Sequence, residues 1–122
     1  MKKYKIAVVD DENEILSMLQ KFLSRNEKYT ITTYSNPITA IANIDDSYDL
    51  VLMDIMMPQM NGLDALEKLI EKNSEQKVIM MTAYSTLDKV LKSHKNGAVH
   101  YLMKPFDSLQ SVEKKINEVL SL

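Results

Sequence analysis

Five polar residues in this 122-residue chain have the types and places to do chemistry together: Asp10, Asp11, Asp54, Thr82 and Lys104. Each stands at or just beyond the end of a short apolar run. Lys5-Ile6-Ala7-Val8-Val9 leads into Asp10-Asp11, and Leu50-Val51-Leu52-Met53 leads into Asp54. Carboxylates gathered within a few ångströms repel one another and resist ionisation unless a cation lies between them. A hard divalent cation with oxygen ligands, Mg²⁺ with Mn²⁺ as a substitute, resolves that conflict. Lys104 adds a fixed positive charge able to hold an incoming phosphoryl oxygen, and Thr82 adds a hydroxyl donor. This is equipment for phosphoryl transfer, which runs on positioning and charge neutralisation. Asp54 is then the nucleophile and forms an acyl phosphate.

Each residue also has a plainer reading when taken alone. Asp11 with Glu14 is a capping-box pattern that starts a helix. Pro58 and Gly62 are turn residues, Thr82 closes a strand, Tyr101 is a half-buried aromatic, and Lys104-Pro105 is a loop. The nine methionines are mainly core filler. His94 and His100 lack metal-ligand spacing. The chemical reading depends on the elements that carry these residues bringing them together.

Five β-rich runs, near 4–9, 29–34, 49–53, 77–81 and 98–102, alternate with helical patterns. The helical stripes are Ile15, Met18, Leu19, Phe22 and Leu23; Ile38, Ile41, Ala42 and Ile44; Leu63, Leu66, Leu69 and Ile70; Leu87, Val90, Leu91 and His94; and Leu109, Val112, Ile116, Val119 and Leu120. Regular strand–helix alternation over short connections predicts an α/β fold with a parallel sheet covered by helices on both faces. The continuously apolar strands agree. In such sheets ligands bind beyond the carboxyl ends of the strands, where all five polar residues fall. Asp107 with Gln110 predicts a capping box for the last helix, and Asn96-Gly97 a stop after the fourth stripe.

The length fits one domain over 1–122 with a single core and no output domain. The formal net charge of −2 argues against direct nucleic-acid binding. The absence of cysteine removes disulfides, thiol nucleophiles and thiolate metal sites. No apolar stretch reaches membrane-spanning length, and the N-terminal run is too short for a signal peptide, so a cytoplasmic protein is expected. Residues 1–76 carry a charge of −5 and residues 77–122 a charge of +3. Lys89, Lys92 and Lys95 recur on one helical face, either a solvated face or a docking surface for an acidic partner.

Set in register, these features resemble the receiver domains of two-component response regulators, similar to single-domain chemotaxis and phosphorelay members. The resemblance rests on Asp10-Asp11, Asp54 followed by Met57-Pro58 and Asn61-Gly62, Thr82-Ala83, Gly97-Ala98, and Tyr101 before Lys104-Pro105-Phe106. It implies a flavodoxin-like five-stranded sheet of order 2-1-3-4-5, with a cis Lys104–Pro105 bond. It implies that Asp54 accepts a phosphoryl group from a sensor histidine kinase or a histidine phosphotransfer protein. Mg²⁺ would be held by Asp11, Asp54 and the Met56 backbone carbonyl, with Asp10 acting through water. Thr82 and Tyr101 would form the switch pair that reshapes the face of the fourth helix, fifth strand and fifth helix, where a downstream protein binds. The chain would then be no enzyme beyond its own phosphorylation and dephosphorylation, and a monomer or a phosphorylation-dependent dimer.

Met56 and Tyr84 are large at positions that the resemblance places beside the phosphoryl group, so they are expected to set its lifetime. Two other classes stand beside this reading. Haloacid-dehalogenase-type phosphatases, which act through an aspartyl phosphate, use an Asp two residues after the nucleophile as general acid; Met56 occupies that position here. A flavodoxin-like cofactor binder needs a first loop that donates to phosphate, and Asp10-Asp11 opposes it.

Overall fold

The computed structural model describes residues 3–83 and 100–121. Five parallel strands, β1 (Tyr4–Val9), β2 (Tyr29–Tyr34), β3 (Leu50–Asp54), β4 (Val78–Ala83) and β5 (His100–Lys104), form one sheet in the order β2-β1-β3-β4-β5. The described helices are α1 (Asn13–Leu23), α2 (Pro37–Asn43), α3 (Gly62–Lys72) and the C-terminal α4 (Leu109–Leu120). The fourth helical stripe, the Asn96-Gly97 stop, the lysines at 89, 92 and 95, and Tyr84 lie outside the described residues.

Side chains alternate across a strand, and here both faces are apolar. Ile6, Val8, Leu50, Leu52, Ile79, Met81 and Leu102 face one core with Leu16, Leu19 and Leu23 of α1 and Val112, Ile116 and Val119 of α4. Ala7, Val9, Val51, Met53, Val78 and Met80 face the other, with Ala40, Leu66 and Leu69. Each fully buried Leu, Ile or Val contributes about 1.5–3 kcal/mol. A shift of one residue in any central strand would exchange its two packed faces, so the registers are tightly specified.

Several boundaries differ from the sequence expectation. Asp54 pairs with Met81, Thr82 with Met103 and Ala83 with Lys104. Thus β3 and β4 extend through the polar residues, and Lys104 is the last residue of β5 rather than a loop residue. Ladder hydrogen bonds from the neighbouring strand carry these positions, and composition does not register them. The α2 stripe is also shifted. Pro37 and Ala40 are buried, whereas Ile38 is exposed. Asn36 caps this seven-residue helix by accepting from the Ile38 N–H, with Pro37 opening its first turn. In α1 the buried stripe is Leu16, Leu19 and Leu23, with Ile15, Met18 and Phe22 only partly covered.

The caps are moved as well. Ser108, not Asp107, caps α4 and exchanges hydrogen bonds with Ser111, so the capping box lies one residue later than expected. The N-cap of α1 is Glu12, not Asp11, and its side chain makes no capping bond. The Lys104–Pro105 peptide is cis, as the resemblance implied.

Candidate functional site

The chain runs from β1 through α1 to β2 on one side, then returns to place β3 on the other side of β1. The carboxyl ends of β1 and β3 therefore flank the point where strand order reverses, where open α/β sheets form their binding crevice. Asp10 follows β1 directly, its N–H donating to the Tyr34 carbonyl at 3.1 Å and so prolonging the ladder. Asp54 ends β3.

The period of two then selects the face. Asp10 continues the row Ile6, Val8; Asp54 continues Leu50, Leu52; Lys104 follows Leu102. All three rows belong to the core beneath α1 and α4, so the three charges meet on one side of the sheet edge. Lys104 Nζ lies 2.6 Å from Asp10 Oδ2 and 3.3 Å from Asp54 Oδ1. It also lies 3.4 Å from Glu12 Oε1. The other Asp10 oxygen accepts from the Glu12 N–H at 2.9 Å.

Asp10, Asp54 and Thr82 are buried. Burial, followed by the charge of Asp10, pushes the Asp54 carboxyl up to about 7, against the pull of Lys104. Burial also raises Asp10, although Lys104 and the Glu12 N–H pull it the other way. Burial alone would lower Lys104, but Asp10 and Asp54 outweigh it and hold the ammonium above its ordinary value. The site thus contains more negative charge than its lysine balances, which is the condition that favours a bound cation.

The donor set fits a hard divalent ion. Asp10, Asp11 and Glu12 can bring carboxylate oxygens within 4.8 Å of one another, and all the acidic donors are oxygens. Glu12 was absent from the residues singled out in the sequence. No local pattern marks it, because its relation to Lys104 spans 92 positions.

The loop after Asp54 is held by its own residues. Ile55 N–H donates to the Met81 carbonyl at 3.2 Å, and Gly62 N–H donates to the Ile55 carbonyl at 2.8 Å. Asn61 then caps α3, accepting from Leu63 N–H at 2.7 Å. Ile55 and Met57 are buried, while Met56 between them is 56% exposed. The loop is thus anchored by alternate residues and presents Met56 at its surface.

Thr82 and Tyr101 lie on neighbouring strands. Met80 pairs with Tyr101 and Thr82 with Met103, so Thr82 and Tyr101 share the sheet face opposite the acid–lysine group. Tyr101 packs, partly buried, against the core on that face.

Comparison with known proteins agrees with this architecture. The sequence profile of the response regulator receiver domain matches residues 6–117. The transcriptional regulatory protein CpxR of Klebsiella pneumoniae is 40% identical over 111 residues, covering 90% of this chain and 47% of CpxR. FlgR of Helicobacter pylori is 37% identical over 102 residues, covering 84% of this chain and 26% of FlgR. The chain therefore spans about half or less of the length of these relatives. Among solved structures, a CheY-like receiver domain protein from Methanospirillum hungatei superposes with a TM-score of 0.90 at 31% identity, covering 98% of this chain and 95% of that one. A receiver domain protein from Clostridium thermocellum gives 0.87 at 29% identity, covering 97% and 94%.

Proposed function

The chain belongs to the response regulator receiver domain family, and from that membership we propose that it is a phosphorylation-controlled binding module whose acceptor is Asp54. The observation that carries the reading is the position of Lys104 Nζ, in reach of both the Asp10 and Asp54 carboxylates. In the transfer, an Asp54 carboxylate oxygen attacks the phosphorus of a phosphohistidine on a sensor kinase or phosphotransfer protein. The O–P bond forms as the N–P bond breaks, and the imidazole departs with the electron pair of that bond, its nitrogen taking a proton from solvent. Lys104 stabilises the charge on the equatorial oxygens as it spreads, and its fixed place removes the cost of reorganisation.

Asp11, Asp54 and the Met56 backbone carbonyl, with Asp10 through water, would hold Mg²⁺. The ion supplies charge neutralisation for the phosphoryl oxygens. Mn²⁺ offers the same oxygen chemistry. Burial resists the ionisation of Asp54, which must reach its ionised form before it can attack. The chain is not a turnover enzyme on this reading; it promotes its own phosphorylation and dephosphorylation.

The product adds roughly one negative charge and three acceptor oxygens at Asp54. Thr82 donates to one of them, and the space it leaves admits Tyr101. The altered face includes β5 and α4 and serves a downstream protein. Among the described residues no helix is long and apolar enough to cross a membrane. Work in the cytoplasm, where kinase and phosphotransfer partners present phosphohistidine, follows from the reading. CpxR and FlgR carry the name of transcriptional regulators, and with a net charge of −2 this domain would influence DNA through such a partner or segment rather than by touching it.

The test is incubation with phosphoramidate or acetyl phosphate and Mg²⁺, followed by intact-mass measurement. One phosphoryl group should be added to the parent and none to Asp54→Asn. Equal labelling of both would overturn the assignment.

A further inference from the structure

The ammonium of Lys104 has three donors and no acceptor, and three carboxylates lie within reach of it. Asp10 is the nearest at 2.6 Å and fully buried, Asp54 is buried at 3.3 Å, and Glu12 stands at 3.4 Å with its side chain 61% exposed. A phosphoryl group on Asp54 brings further oxygens toward this same ammonium, where they compete with the two carboxylates that already accept from it, Asp10 and Glu12. Asp10 is held on its other side by the Glu12 N–H, and Asp54 carries the incoming group. Glu12 has the longest contact and reaches in from solvent, where ion pairs are weakest.

A second observation concerns the position itself. Glu12 is the N-cap of α1, where a short Ser, Thr, Asp or Asn side chain accepts from the first turn. The Glu12 side chain makes no such bond and extends to Lys104 instead. Its Cα position is already fixed by its N–H to Asp10 and by its carbonyl, which accepts from Leu16 at 3.2 Å.

Resting on the reading of Asp54 as acceptor, we propose that Glu12 is a positioning residue, a displaceable tether that occupies one Lys104 donor at rest and is exchanged for a phosphoryl oxygen when Asp54 is modified. With acetyl phosphate as donor, an Asp54 oxygen forms the new O–P bond and acetate leaves with the electrons of the old one. The dianionic donor and Asp54 carboxylate become acetate and a dianionic aspartyl phosphate, and Lys104 keeps its proton throughout. Before that exchange the Glu12 charge competes for Lys104 and repels the approaching donor. The repulsion scales with the charge of the donor, so Glu12 also biases donor choice against the more highly charged one.

The full chain should be labelled with acetyl phosphate, a dianion, and with phosphoramidate, which carries a single net negative charge, both at saturating Mg²⁺. The readout is the ratio of the two second-order rate constants. Glu12→Gln should raise the acetyl phosphate to phosphoramidate ratio about threefold. Glu14→Gln, a neighbouring exposed acid with no contact to Lys104, should leave it at the parental value. Mg²⁺ affinity, measured by NMR titration, should fall by less than about tenfold in Glu12→Gln, the loss of a nearby charge rather than of a ligand. An unchanged ratio in Glu12→Gln overturns the tether while leaving Asp54 as acceptor. An equal rise in Glu14→Gln attributes the effect to general surface charge and overturns it too. A loss of Mg²⁺ affinity beyond about tenfold makes Glu12 a metal ligand instead. Failure of the parent to label at all overturns the reading of Asp54, and the tether with it.

Discussion

A β-carbon added to Gly62 would stand 2.0 Å from the carbonyl oxygen of Asp54 and 2.7 Å from Ile55 Cα. The loop leaving β3 returns so closely over the strand end that backbone meets backbone, and neither atom is the tip of a flexible side chain that could move aside. Gly62→Ala should therefore destabilise the protein by about 2–3 kcal/mol or more, at the upper end of what overpacking costs. Urea denaturation reads that loss, and a midpoint within error of the parent would show that the loop has slack. Asp54 labelling should fall as well, because the same atoms that clash carry the acceptor.

A second prediction follows from the raised Asp54 carboxyl. Its folded value of about 7 lies above the ordinary value of about 3.9 that it regains on unfolding. Between those values the folded state holds the proton more tightly, so metal-free stability falls as pH rises through about 4 to 7 and levels off above. Asp10 is raised too and acts with the same sign. Asp54→Asn should then be more stable than the parent at pH 8, by up to about 4 kcal/mol, and nearly equal to it at pH 4. Mg²⁺ should stabilise the parent at pH 8 and do little at pH 4.5, where the acceptor is protonated. Thermal melts across pH, with and without EDTA, decide this; a Mg²⁺ effect independent of pH would place the ion elsewhere.

Thr82→Ala tests the switch. Thr82 and Tyr101 share the sheet face opposite the charge cluster, so a signal from Asp54 must cross the sheet edge to reach Tyr101. The variant should still accept one phosphoryl group, with a reduced chemical-shift response at Tyr101. A full parental response would route the signal through other residues.

How far these features were legible in the sequence follows from range. The apolar runs announced five strands and their alternation with helices, because burial on both faces leaves a local signature. Strand ends did not show, since Asp54, Thr82 and Lys104 are polar residues kept in strands by partners such as Met81 and Met103. Short-range caps were blurred for another reason. Asp107 and Ser108 both suit an N-cap, and only the path of the chain chooses Ser108. The acid–lysine group was legible as types at strand ends, but the face it occupies depends on registers between strands. Glu12 was not legible, because nothing near it in the chain calls for Lys104. Gly62 read as a turn residue, whereas its structural demand is the closeness of Asp54.

The lifetime of the phosphoryl group is the last prediction. An acyl phosphate is lost when water attacks in line, opposite the Asp54 oxygen. Family resemblance places Met56 and Tyr84 beside that approach. Met56 sits at the loop surface between buried Ile55 and Met57, so its backbone is fixed while its side chain is adaptable. Its thioether is at best a weak acceptor and orients water poorly, so decay in the parent should be slow. Met56→Asn supplies an amide that can align a water for attack, and an exposed position tolerates the change with little loss of stability. The variant should lose phosphate about tenfold faster, a modest share of what positioned proton transfer can contribute. Adding Tyr84→Ala should speed loss further if bulk at that position restricts access. Intact mass followed over time after removal of the donor gives both rates. A parent that decays as fast as the double variant would leave Met56 with a role in partner binding rather than in protecting the bond.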